Sequence, residues 1–227
     1  MESLSHTRQT FDESLRNLEH DLLQMGSASR MAVDRAVDSL VRMDTSVAMQ
    51  VIEDDDVIDD MQHSIENECI RLLALQHPMA SDLRAVSTAL RMITDLERVG
   101  DLAVDIAKIT LKIDRELGTS DYIDLRHMAK LAGGMLNEAL DAYVKRDDAL
   151  VHSVCEHDDQ VDEAYRQLRN QIHDHMRSHS DDVVAGSWLI LAIHHLERIA
   201  DHAVNIAERV HFMVTGRLEP ISAKPDL

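Results

Sequence analysis

Four pairs of carboxylates in this chain stand four residues apart: Asp55 with Asp59, Glu97 with Asp101, Asp158 with Asp162, and Glu197 with Asp201. On a helix that spacing stacks both acids of a pair on one face, where like charges repel. A repelling pair held near a core calls for a counter-charge. One source is an ion pair, and Arg98 lies three residues before Asp101. Another is a cation shared by several carboxylates. A third arrangement is a solvated acidic patch, with the acids pointing into water.

Their surroundings bear on the choice. LERVGDLAVDIA (96–107) holds the Glu97 pair, and LERIADHAVNIA (196–207) repeats it with eight of twelve positions identical. On a helical wheel, Leu90, Ile93, Leu96, Val99, Gly100, Ala103, Val104 and Ala107 form the apolar arc. Glu97 falls inside that arc, Asp101 at its edge and Asp105 just outside. A carboxylate drawn out of water needs a partner or must change protonation. EDDDVIDD (53–60) puts six further acids into about two turns, with no Lys or Arg among them. A short turn, QHPMASD (76–82), follows about 20 residues after Asp55, and the Glu97–Asp101 pair ends about as far beyond it. Two helices joined by a short turn pack antiparallel. The acids then meet at one level: Asp55, Asp59, Glu97 and Asp101 in the first half, and Asp158, Asp162, Glu197 and Asp201 in the second. All-oxygen ligation suits a hard cation. The expected cofactors are therefore divalent or trivalent metal ions: iron, manganese, magnesium, calcium or zinc. Asp105 is a further ligand candidate, and its counterpart is Asn205. His157, His194, His195 and His202 lie near the second set; each reads as a solvated or satisfied histidine, with a nitrogen ligand from His202 as the alternative.

Other signals are weaker. His173, His175 and His179 cluster at a helix C-terminus, which favours histidine without any metal. Glu208 and His211 make one Glu-x-x-His pair, whereas a ferritin-like centre needs two and further glutamates. No phosphate-cradling Gly loop, nucleophile elbow or His-Glu-x-x-His motif occurs. With no nucleophile–base pair in view, no catalytic residue is assigned and no enzyme activity is expected. Cys69 and Cys155 sit in helical patterns and read as core thiols.

The elements that position these acids read as helices throughout. Among 227 residues, 44% are hydrophobic, 3% aromatic, 7 Gly and 3 Pro. Good helix formers dominate and breakers are few. The spacing predicts helices over 6–43, 46–75, 80–116, 121–146, 148–178 and 182–215. QMGSAS (24–29) is a candidate bend in the first. Ser81 and Asp82 are cap candidates for the third, and Gly118 and Gly216 close the third and sixth. MDTSVAMQVIEDDDVID (43–59) echoes RDDALVHSVCEHDDQVD (146–162) at an offset of 103. The chain is thus a duplication: an all-α protein of two pseudo-symmetric three-helix bundles, residues 1–118 and 119–227. A net charge of −19 disfavours nucleic acid and anionic membrane surfaces. No apolar run reads as a transmembrane span, so a cytoplasmic protein without membrane insertion is expected.

The two LER(V/I)xD segments, the Asp-rich starts of the second and fifth helices, and HPMASDLR (77–84) together resemble the PhoU family over essentially the whole chain. The resemblance implies two three-helix bundles with multinuclear metal sites on their surface. It implies Asp55, Asp59, Glu97, Asp101, Asp158, Asp162, Glu197 and Asp201 as ligands. It also implies a cytoplasmic homodimer whose partners are the phosphate ABC transporter's ATPase and a phosphate-sensing histidine kinase. Such a protein holds down phosphate import and starvation signalling. A ferritin-like carboxylate-bridged metalloenzyme and a metal-free helical scaffold are the alternatives. The departures at Ala200, His202 and Asn205 set the second site apart from the first.

Overall fold

The computed structural model describes residues 2–76, 78–113, 125–217 and 221, and among these there is no strand. Its helices are α1 (Glu2–Arg42), α2 (Thr45–Glu53), α3 (Asp55–Gln76), α4 (Ala80–Lys112), α5 (Leu125–Lys145), α6 (Asp148–Ser178) and α7 (Val183–Thr215). A 3₁₀ turn, Ser180–Asp182, joins α6 to α7. The first bundle is α1 to α4 and the second α5 to α7. The third helix, expected to run to 116 and close at Gly118, instead stops at Lys112, where Ile113 turns extended at φ −77° and ψ 125°. The expected start at 121 lies outside the described residues, while Gly216 closes α7 in the left-handed conformation, at φ 73°.

The halves are joined along α4 and α7, which run antiparallel. Asp95 of α4 meets His202 and Asn205 of α7, and Lys112 lies over the Trp188 ring near the other end. Leu96, Val99, Ala103 and Ala107 of α4, and Leu196, Ala200, Ala203 and Ala207 of α7, are fully buried. Arg84 and Thr88 of α4 also donate to the Met213 and Arg209 carbonyls of α7, and a single hydrophobic core runs through both halves.

Matching junctions disclose the duplication. Met43 and Arg146, 103 residues apart, are both left-handed, with φ 53° and 52°. In each, the next residue's N–H reaches back five positions, Asp44 to the Ser39 carbonyl and Asp147 to the Ala142 carbonyl. This is a Schellman cap with a non-glycine residue in the glycine position. Asp44 and Asp147 then cap the following helices, accepting from Ser46, Val47 and Ala149 N–H groups. One cross-link is repeated with its polarity reversed. Arg35 of α1 donates to Asp54 at 2.6 Å and to Gln50 at 3.4 Å. At the equivalent places, His157 and Ser153 contact Glu138 of α5 at 2.8 and 2.6 Å.

Four further expectations are corrected. The second predicted helix is broken at Asp54 into α2 and α3. Three consecutive aspartates repel and are poor helix formers, and the Asp54 carbonyl accepts from Val57 N–H in a tightened turn. By contrast, α1 runs unbroken through Gly26. A Cβ there would come within 2.4 Å of Leu140 Cδ1, so the glycine serves the crossing with α5 rather than a bend. The α4 N-cap is Met79, with no side-chain cap, and Asp82 is buried inside the first turn. Finally, the stretch over α7 is by length and composition apolar enough to cross a membrane, with a mean hydropathy of 1.2 over 18 residues. Packing against α4, α5 and α6 accounts for that apolarity, since a helix covered on several sides is apolar around most of its girth.

Arg146 is exposed, and its ion pair with Glu19 is long, at 3.5 Å. Relief of the left-handed strain in Arg146→Gly is expected to raise unfolding free energy by about 1 kcal/mol. Arg146→Ala loses the ion pair but keeps the strain, and should show no gain. Urea unfolding of the three proteins checks this.

Candidate metal centre

Asp55 is the first residue of α3 and Asp59 lies one turn on, while Glu97 and Asp101 face them from the antiparallel α4. Gly100 makes the approach possible. A Cβ there would stand 3.0 Å from Ile58 Cδ1 and 3.4 Å from Asp55 Oδ1. Burial pushes the Asp55 carboxyl up to about 6, with Asp59 and Asp101 adding to the rise and Lys108 opposing it. Burial likewise raises Glu97, and Asp101, Asp59 and Asp55 add to that rise against Arg98. The structure thus brings all four acids of the first set into one electrostatic neighbourhood. Arg98 donates to Asp101 at 2.8 Å and lies 3.5 Å from Glu97. Asp105 stands a turn away and pairs with Lys108 at 3.2 Å. Arg98 and Lys108 supply two positive charges against these five carboxylates. Both ion pairs are half exposed, where such pairs contribute little. The donors are all oxygen, partly desolvated and short of positive charge, but no three of their carboxylate oxygens lie within 4.8 Å of one another.

The second set is built differently. Asp158 is buried at 5% exposure, and Asp162, Glu197 and Asp201 are half-buried on the antiparallel α6 and α7. Here α6 is unbroken, and Ala200 replaces the glycine. His194 lies 3.4 Å from Glu197. The other three histidines are directed elsewhere. His157 joins Glu138. His202 crosses to Asp95 of α4 at 2.9 Å, and therefore does not join the second set. His195 is buried toward Asp105, and burial lowers its pKa. Asp95 and His195 hold equivalent places on α4 and α7, so the two halves face each other about a pseudo-twofold axis.

The remaining signals are placed as follows. Both cysteines are free; burial pushes Cys69 up to about 12 and Cys155 up to about 11, so neither is a reactive thiolate. His175 bonds Asp182 at 2.6 Å and stacks on His179. Glu208 accepts from Ile221 N–H, while His211 turns to Asp148 at 2.6 Å, so the Glu-x-x-His pair is split between two partners. Sequence reasoning missed Asp95 and Glu138, which lack any pattern beyond isolated acids. It also missed Asp148 and His152, whose i, i+4 spacing was a legible signal.

With chelator present, the first set sets a pH dependence. The folded Asp55 keeps its proton up to about pH 6, whereas the unfolded group releases it near the usual 3.8. The native state therefore binds more protons across that window, and stability falls as pH rises through it. Asp55→Asn is expected to flatten the fall. Solvent screening limits the gain at pH 7.5 to about 1 kcal/mol, or about 2–4 °C in Tm at this chain length. Thermal melts between pH 4 and 7.5 test this; an unchanged slope in the variant contradicts it.

The family model described as the PhoU domain matches residues 22–110 and again 125–210. A "Phosphate-specific transport system accessory protein PhoU homolog" from Clostridium acetobutylicum is 36% identical, covering 93% of this chain and 97% of that protein. The Pseudomonas aeruginosa protein of the same description is 37% identical, covering 93% of this chain and 88% of that one. Among solved structures, PhoU from Pseudomonas aeruginosa superposes with a TM-score of 0.84 at 36% identity, over 91% of this chain and all of that one. The phosphate transport system regulatory protein PhoU from Streptococcus pneumoniae superposes with a TM-score of 0.85 at 33% identity, over 92% and 99%. The doubled helical bundle, the doubled domain match and these relatives agree: the chain belongs to the PhoU family.

Proposed function

We propose that this chain is a metal-binding cytoplasmic regulator of phosphate uptake. In this reading it restrains the phosphate ABC transporter and phosphate-starvation signalling through contacts with the transporter's ATPase and a phosphate-sensing histidine kinase. It works as a homodimer and by contact rather than turnover. The observation that carries the reading is the Asp55–Asp59–Glu97–Asp101 set, where burial first and the neighbouring acids second raise the proton affinity of Asp55 and Glu97. The share owed to neighbouring negative charge is what a bound cation would relieve. Membership of a family whose relatives are described as phosphate transport accessory proteins supports the regulatory role.

Asp55, Asp59, Glu97 and Asp101 would hold one centre, and Asp158, Asp162, Glu197 and Asp201 the other. A bound divalent or trivalent hard ion would supply positive charge that neutralises an acidic helix face. Without it, that face repels phosphate and any acidic partner surface. Arg98 holds Asp101 through a 2.8 Å hydrogen bond.

Two measurements test the reading. Metal analysis of the purified protein should find bound metal, reduced by about half in Asp55→Ala/Glu97→Ala. Near-zero metal in both rejects the metal part. Immobilised protein should retain the purified transporter ATPase, and the double variant should retain at least tenfold less. Equal retention by both removes the link between the centre and the contact.

A further inference from the structure

At the far end of the second bundle, three residues outside both carboxylate sets converge. Asp148 opens α6, His152 follows one turn later, and His211 comes from the last turn and a half of α7. One potential ligand atom from each lies within 4.8 Å of the others. His211 Nδ1 is 2.6 Å from Asp148 Oδ1, and His152 Nε2 is 3.7 Å from Asp148 Oδ2. The two imidazoles meet edge to face, with centroids 6.2 Å apart. His211 is fixed, with 12% of its side chain exposed, while His152 is 56% exposed and reaches in from solvent.

The duplication provides an internal control. At the offsets that relate the halves, the first bundle has Thr45 for Asp148, Met49 for His152 and Leu111 for His211. Met49 and Leu111 are exposed. The same helix junction is thus built with no ionisable group at these three places, so the fold does not require them. The chemistry also differs from that of the acid sets. Two imidazoles and one carboxylate match a borderline transition ion held at about 2.0–2.2 Å, with a water completing a tetrahedron. Ligands on such an ion stand roughly 3.3 Å apart, close to the His152–Asp148 separation. The shorter His211–Asp148 contact is a hydrogen bond, and its proton is what the ion would displace.

We propose that Asp148, His152 and His211 form a transition-metal site, for Zn²⁺ foremost, that ties the start of α6 to the end of α7. The rival is a plain ion pair between a helix N-terminal acid and a helix C-terminal histidine, which the helix dipoles also favour. Titration of the chelator-stripped full chain with Zn²⁺ by calorimetry separates the two. Co²⁺ in place of Zn²⁺ reports tetrahedral nitrogen ligation by its visible absorption. His152→Ala removes an exposed ligand without touching the core, and His211→Gln removes the second. In each, one Zn²⁺ equivalent should weaken by more than the about 10–100-fold that loss of an outer-shell partner costs, and the Co²⁺ band should vanish. Asp55→Asn/Glu97→Gln should keep both, so this site stands or falls apart from the acid sets. Equal Zn²⁺ affinity, stoichiometry and Co²⁺ spectra in wild type and His152→Ala overturn the proposal.

Discussion

Everything in this molecule hangs on the antiparallel packing of α4 against α7. Along that seam Arg84 and Thr88 donate to the Met213 and Arg209 carbonyls, Asp95 meets His202 at 2.9 Å, and Lys112 lies over the Trp188 ring. One hydrophobic core is continuous across it. The same seam is the pseudo-symmetry axis, with Asp95 against Asn205 on one side and His195 toward Asp105 on the other. The outer helices wrap each member of the central pair. Because α4 and α7 each show one face to the seam and another to their own bundle, the apolar arc is wide. Acids at 97 and 101 are therefore forced to its border.

That border position explains the electrostatics. An acid on an open helix face is solvated and ordinary. An acid at the edge of a wide apolar arc, facing a second acidic helix, loses water on one side and gains repulsion on the other. Asp55 shows both effects, burial first and neighbours second. Gly100 sharpens them, since without a Cβ nothing holds α3 away. The second half relaxes the arrangement: Ala200 fills the place of the glycine, α6 stays straight, and Asp158 sinks to 5% exposure. Two copies of one motif thus acquire different local chemistry through single-residue changes nearby.

Much of this was legible in the sequence. Helix periodicity and the repeat placed the helices to within a few residues, and the turn between the second and third brought the acid pairs level. Cross-chain choices were not legible. Nothing local says that His202 bonds Asp95 rather than the second acid set, because that depends on which face of α7 meets α4. The reversed cross-link, Arg35 to Asp54 against His157 to Glu138, is likewise invisible until the halves are superposed. Gly26 resembled a hinge because glycine is permissive in isolation. Its neighbour Leu140, 114 positions away, gives it a different purpose. Asp54 broke a helix that periodicity alone carries through, since repulsion among adjacent aspartates leaves no mark on an apolar wheel.

The break at Asp54 has a mechanical meaning. In the second half, α6 is one rod of 31 residues, and a push at one end arrives at the other. In the first half, the corresponding length is a rod of 9 residues and a rod of 22, jointed at Asp54 and braced by one arginine from α1. Such a joint yields in bending where a continuous helix resists. Asp55, the first acid of the cluster, sits on the far lip of that joint. The two halves therefore share an outline but not a stiffness, and the compliant element adjoins the crowded acids.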